Sequence, residues 1–205
     1  MMRVLLTGFE PYWDYYVNSS WMVAEKVATR GVTGVDIVVA QMPVSFFRVG
    51  MALREAVEKH SPDMLIMLGQ SGGSDKVKLE RIALNMMDSK LPDNDGYIPN
   101  EEPINIETPA ALFTNTPIKS LRAAIEEQNI SVKISNSCGL YVCNRLYYEA
   151  LILCEKCYMK SIFVHLPFYE GQPSAKPNKP TMSLDDMVKA VQIIIEEHND
   201  KNREF

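Results

Sequence analysis

Ser161-Ile162-Phe163-Val164-His165-Leu166-Pro167 is the stretch on which the reading of the fold turns. A short apolar run closed by proline reads as a buried strand. Similar runs occur at residues 3–7, 36–40, 64–69 and 132–135. Between them, amphipathic stretches predict helices over 20–28, 46–60, 118–128, 142–157 and 184–198. That alternation predicts an α/β fold: one domain over residues 1–205, with a mainly parallel twisted sheet and helices on both faces. Ser183 with Asp186 predicts a capping box for the last helix, and Pro117 suits a helix's first turn.

Two segments lack periodicity. Residues 86–116 carry Pro92, Pro99, Pro103 and Pro109 and are expected to form a long surface excursion. Residues 171–180 carry Pro173, Pro177 and Pro180 and are expected to be a loop joining the last strand to the last helix. Long loops in compact domains are often functional.

Composition narrows the function classes. The net charge is −5 and no basic cluster occurs, so a nucleic-acid footprint is missing. No apolar run approaches the roughly 20 residues that span a bilayer, so no membrane partner is expected. Val4-Leu5-Leu6 is too short for a signal sequence. The four cysteines, without secretory context, are expected to be reduced thiols in a cytoplasm.

Within the apolar run from Ile162 to Pro167, His165 is the one polar interruption. Upstream lies Ser137-Cys138-Gly139-Leu140-Tyr141-Val142-Cys143-Asn144, which places Cys143 near the start of the helix predicted over 142–157. A helix N-terminus favours negative charge, so the thiolate form of Cys143 is expected to gain there. The same free N–H groups suit a developing oxyanion. His165 is a proton partner for such a thiol, and Glu80, in Val77-Lys78-Leu79-Glu80, is a carboxylate able to orient it. Bland readings stand beside these. Buried free cysteines behave as small hydrophobes, a lone strand histidine is commonly a satisfied core residue, and the face shared by Lys76, Lys78 and Glu80 is by default solvated.

Several further motifs occur in order: Leu6-Thr7-Gly8-Phe9-Glu10-Pro11, Asn18-Ser19-Ser20, Gly69-Gln70-Ser71-Gly72-Gly73, Leu79-Glu80-Arg81-Ile82-Ala83-Leu84-Asn85, Pro92-Asp93-Asn94-Asp95-Gly96, Tyr141-Val142-Cys143-Asn144 and His165-Leu166-Pro167. With these the chain resembles the pyroglutamyl peptidase I family of cysteine peptidases, from Val4 to about Pro167 and more loosely into the last helix. The resemblance implies a nucleophile at Cys143, a general acid/base at His165 and an orienting Glu80. It implies a substrate slot at Phe9, Tyr12, Val44, Leu91, Tyr141 and Val142, with Gln70 reading the lactam. It further implies N-terminally pyroglutamylated peptides as partners, no cofactor, no metal and a homotetramer.

The sequence departs from the family in places. Tyr12-Trp13-Asp14 stands where Phe-Gly-Gly is usual, Ser19 replaces a proline, and Ser74 replaces an arginine. Lys90 also replaces an arginine and becomes the candidate oxyanion residue. Cys138 replaces a small alanine. Two rival functions therefore stand: a thiol amidohydrolase for another small cyclic acyl group, and a non-catalytic binding protein of the same fold. Cys154-Glu155-Lys156-Cys157 lacks the second ligand pair of a zinc site, and no Gly-x-Ser-x-Gly or His-Glu-x-x-His pattern occurs.

Overall fold

A computed structural model describes residues 1–157, 159–172 and 178–201. Its centre is a six-stranded sheet. The strands are β1 (Met2–Phe9), β2 (Val35–Met42), β3 (Met64–Gln70), β4 (Val77–Glu80), β7 (Val132–Ser135) and β8 (Lys160–Leu166). They lie in the order β2-β1-β3-β8-β4-β7. Every pairing is parallel except that of β4 with β8, which is antiparallel. Two small pairs lie outside it: β5 (Ile82–Leu84) with β6 (Ala111–Phe113), antiparallel, and β9 (Phe168–Tyr169) with β10 (Thr181–Met182), parallel.

Strand residues alternate between the two faces, and the core divides accordingly. Val4, Leu6, Ile66, Leu68, Ile162 and Val164 pack with α1 (Ser19–Arg30), α3 (Ile118–Glu127) and α5 (Leu184–Lys201). Leu5, Leu65, Met67 and Phe163 pack with α2 (Arg48–His60) and α4 (Val142–Cys157). Helices thus cover both faces, as expected. His165, two residues from Phe163, shares the α2/α4 face. No helix among the described residues is long and apolar enough to cross a membrane.

Local chemistry sets the helix ends. Asn18 Oδ1 accepts from the Ser20 N–H at 3.1 Å and caps α1. Ser183 Oγ accepts from the Asp186 N–H at 3.0 Å, the expected cap of α5. α2 begins at Arg48, two residues later than the periodicity suggests; Ser45 Oγ accepts from the Arg48 N–H at 3.1 Å, and the Phe46 N–H donates to Asp93 Oδ2 at 2.9 Å. Pro117 sits at the cap of α3, one residue before its first turn.

The strands that sequence periodicity missed are the short ones: β4, β5, β6, β9 and β10. β4 also overturns the solvated face, since Glu80 is fully buried. Lys78 stays half-buried by donating to Ser71 Oγ at 2.7 Å. The expected excursion over 86–116 is real apart from β6 and the start of the approach to α3. Of the expected loop over 171–180, residues 173–177 lie outside those described.

Gly8 explains itself by crowding at the end of β1. A Cβ there would stand 2.7 Å from Ser20 O and from the Trp21 N and Cα. These are backbone atoms of α1 and cannot rotate away. Gly8→Ala should therefore destabilise the fold by about 1–3 kcal/mol, read as a lowered urea midpoint; an unchanged midpoint would contradict this packing.

Candidate active site

The site is built where β8 meets its antiparallel neighbour. Their register sets Lys78 opposite His165 and Glu80 opposite Phe163, so Glu80 and His165 are diagonal neighbours on one face. The result is a contact of 2.8 Å between His165 Nδ1 and Glu80 Oε1. A carboxylate only accepts, so Nδ1 carries the hydrogen, and in the neutral imidazole Nε2 is the acceptor. On the other side of β8, Gly69 lies beside His165. A Cβ on Gly69 would come within 2.8 Å of the Phe163 ring and 3.0 Å of His165 Cδ2, so only glycine leaves the imidazole its place.

Cys143 is the second residue of α4 and half-buried. The helix is fastened by Asn144, whose Oδ1 accepts from the Leu84 N–H at 2.9 Å. Its Nδ2 donates to the carbonyls of Leu84 and Met86 at 2.8 and 2.9 Å. The expected lowering of the Cys143 thiol by the helix start is overturned. Burial, and secondarily the Glu80 carboxylate, push the thiol up to about 12, against a smaller opposing effect of its own backbone N–H. Burial disfavours the charged form of a thiol.

Cys143 and His165 open onto one cavity of about 170 Å³. Six predicted slot residues line it: Phe9, Tyr12, Val44, Gln70, Tyr141 and Val142. Trp13, Asn18 and Cys138, which the sequence reading did not place there, border it as well. Burial pushes the Tyr12 phenol upward and the Tyr141 phenol to about 12, so both walls are neutral near pH 7.

Leu91 and Lys90 are not brought to the cavity. Leu91 is 48% exposed and Lys90 is exposed. Ser89 Oγ accepts from the Leu91 N–H at 3.1 Å and donates to the Leu91 carbonyl at 2.7 Å, a tight turn that keeps both residues at the surface. The Pro92 carbonyl serves the cavity instead, accepting from Trp13 Nε1 at 3.1 Å and from the Tyr141 hydroxyl at 2.8 Å. Trp13 has φ 51°, the left-handed conformation that favours glycine. Its indole N–H bond and its ring contact with Tyr12, centroids 4.8 Å apart, hold it there.

Other polar motif residues prove to be braces. Glu10 Oε1 accepts from the Val44 N–H and from Asn94 Nδ2, each at 2.9 Å. Asp93 accepts from the Phe46, Asp95 and Tyr97 amides at 2.9, 3.0 and 2.9 Å. Gln70 Oε1 is saturated by the Ser19 N–H at 2.9 Å and Gln172 Nε2 at 2.7 Å, which leaves Gln70 Nε2 toward Tyr12 at 3.4 Å. The sequence signal for these braces was a carboxylate or amide inside a proline- or glycine-bounded turn.

Residues 2–201 match the pyroglutamyl peptidase family. The chain belongs to that family. It is 39% identical over 196 residues to the pyrrolidone-carboxylate peptidase of Thermococcus onnurineus, covering 95% of this chain and 97% of that one. The solved pyrrolidone carboxyl peptidase of Thermococcus litoralis superposes with a TM-score of 0.94 at 28% identity, over 100% of this chain and 96% of that one. Pyroglutamyl peptidase I of Bacillus amyloliquefaciens gives 0.89 at 34% identity, over 94% of each chain.

The electrostatics of Cys143 can be read directly. In a His165→Ala variant, where no imidazole takes the proton, iodoacetamide alkylation of Cys143 followed by peptide mapping should titrate well above the ~8.5 of a free thiol. Adding Glu80→Gln removes a like charge and should bring that value down. A free-thiol value in the single variant would contradict the assigned burial.

Proposed function

We propose that this chain is a cysteine omega-peptidase that removes N-terminal pyroglutamate from peptides, acting as one peptidase domain. The observation carrying this reading is the Glu80–His165 contact on the wall of the cavity that also holds Cys143. Family membership supports it.

The chemistry follows from the protonation states. Cys143 rests as a thiol, because burial and Glu80 disfavour its anion. Its proton passes to His165 Nε2 as sulfur attacks the pyroglutamyl carbonyl carbon. Glu80 stabilises the imidazolium that results, which it contacts through Nδ1. The carbonyl oxygen becomes an oxyanion beside the Cys143 N–H at the start of α4, since the Asn144 and Arg145 amides donate to the Tyr141 carbonyl. The C–N bond then breaks, and His165 gives its proton to the leaving amine. Water, deprotonated by His165, attacks the thioester and frees pyroglutamate and the thiol.

The cavity supports the substrate assignment. At about 170 Å³ it is smaller than the roughly 300–1,000 Å³ of drug-sized sites, as a five-membered lactam requires. Apart from Cys138, Cys143 and His165, its walls are aromatic and aliphatic groups with the neutral amides of Asn18 and Gln70. Since Gln70 Oε1 is already occupied, Gln70 reads the ring as a donor, through Nε2 to the lactam carbonyl. An N-terminal amino acid with a free ammonium would find no carboxylate to receive it, because no acidic residue among those described lines the cavity and Glu80 is buried behind its wall.

We further place the enzyme in the cytoplasm, supported by free thiols at Cys138, Cys143, Cys154 and Cys157. Self-association, as a homotetramer, is supported by exposed apolar side chains such as Phe47 and Met51 near the start of α2.

Cys143→Ala should abolish arylamine release from a pyroglutamyl reporter, by at least about 10³-fold, with native circular dichroism. Glu80→Gln should lower kcat by about 10²–10⁴-fold. Retained turnover in the first variant would remove Cys143 from the reaction.

A further inference from the structure

Cys138 has no task in the reaction above, yet its sulfur occupies the buried corner behind it. Glu80, Cys138 and His165 each bring one ligating atom, and these atoms lie within 4.8 Å of one another. All three side chains are buried, with exposures of 0, 6 and 7% respectively. They arrive from three separate places: β4, the turn before α4, and β8. One further feature marks the corner as unsatisfied. Glu80 Oε2 is buried and has no hydrogen-bond partner among the described residues. Lys78, on the same face of β4, gives its ammonium to Ser71 Oγ instead. A fully buried carboxylate oxygen with a thiol and an imidazole beside it is a cation's coordination sphere in outline.

We propose that Glu80, Cys138 and His165 form a latent site for a borderline divalent cation, Zn²⁺ or Co²⁺, whose occupancy switches off the chemistry of Cys143. One thiolate, one imidazole nitrogen and one carboxylate oxygen make a three-ligand set with a fourth position for water. The mixture of sulfur and nitrogen excludes Mg²⁺ and Ca²⁺, which require oxygen. Metal bonds of about 2.0–2.3 Å hold tetrahedral ligand atoms roughly 3–4 Å apart, so side-chain rotations suffice to close the sphere.

The protons balance as follows. Cys138 releases its thiol proton to solvent and binds as thiolate. His165 presents the Nδ1 lone pair to the metal, its single ring hydrogen moving from Nδ1 to Nε2. No net proton leaves the imidazole. Nε2 is then a donor and can no longer accept the Cys143 proton, while Glu80 is drawn from imidazole to metal. The enzyme is inhibited although the metal need not touch Cys143. The switch is specific to a chain with a thiol at position 138.

The site can be tested without turnover, so its fate is separable from that of the peptidase reading. Co²⁺ is titrated into the full chain and into the Cys138→Ala and Cys143→Ala variants, and the ultraviolet thiolate-to-cobalt charge-transfer band is followed. The band should form in wild type and in Cys143→Ala, be absent in Cys138→Ala, and be displaced by Zn²⁺. Should Cys138→Ala fail to show native circular dichroism, Cys138→Ser provides the same comparison. In the reporter assay, Zn²⁺ sensitivity relative to each protein's own metal-free rate should fall at least about tenfold on loss of the Cys138 thiol. No band in wild type, or a band lost in Cys143→Ala and kept in Cys138→Ala, would overturn the proposal.

Discussion

A carboxylate buried beside an imidazole is the constraint around which this molecule is arranged. Removing an ionised carboxylate from water costs several kcal/mol unless a partner compensates. The sheet supplies that partner by turning one strand around. β4 runs against β8 in an otherwise parallel sheet, and the antiparallel register sets Glu80 diagonally across from His165. The same buried charge acts on Cys143, raising its thiol along with the apolar walls. In the reaction proposed above, reactivity is stored as a proton-transfer step: sulfur becomes a good nucleophile only as the imidazole on the same cavity becomes a cation.

Around that centre, the loops are held by polar groups with structural tasks. Glu10, Asp93 and Asn144 each tie two distant segments together through backbone amides or carbonyls. In water such bonds contribute modestly, but losing an acceptor in the interior leaves donors unpaired at about 1–3 kcal/mol each. Because the cavity walls come from the β1–α1 loop, the β2–α2 loop and the turn into α4, their positions depend on these braces. Trp13 belongs to the same economy of contacts: a backbone conformation suited to glycine is retained by an indole N–H bond to Pro92 and by neighbouring rings.

Much of this was legible in the residues. Apolar runs such as 64–69 and 161–166 located five of the sheet's strands; in β3 and β8 burial on both faces makes the run nearly continuous. The five helices followed from their periodicity. β4 was not legible as a central strand, because Lys76, Lys78 and Glu80 look like a solvated face; only the register with β8 shows that Glu80 is enclosed. The short strands β5, β6, β9 and β10 carry too few residues for alternation to register. Within the site, Cys143 and His165 stood out through local context and family resemblance, and six slot positions converge on the cavity as that resemblance implied. Lys90 and Leu91 do not line the cavity, because a serine-centred turn, a matter of hydrogen bonding over three residues, sets their place. The corner formed with Cys138 could not be read at all, since it exists only once β4, β8 and the turn before α4 are brought together.

The most direct measurement of this arrangement is the tautomer of His165, from the nitrogen chemical shifts of protein labelled with ¹⁵N-histidine, assigned with a His165→Gln variant. The account predicts a ring hydrogen on Nδ1, shared with Glu80 and displaced to unusually low field, and a bare Nε2. A neutral imidazole carrying its hydrogen on Nε2 would contradict it, because that nitrogen could not then receive a proton from Cys143.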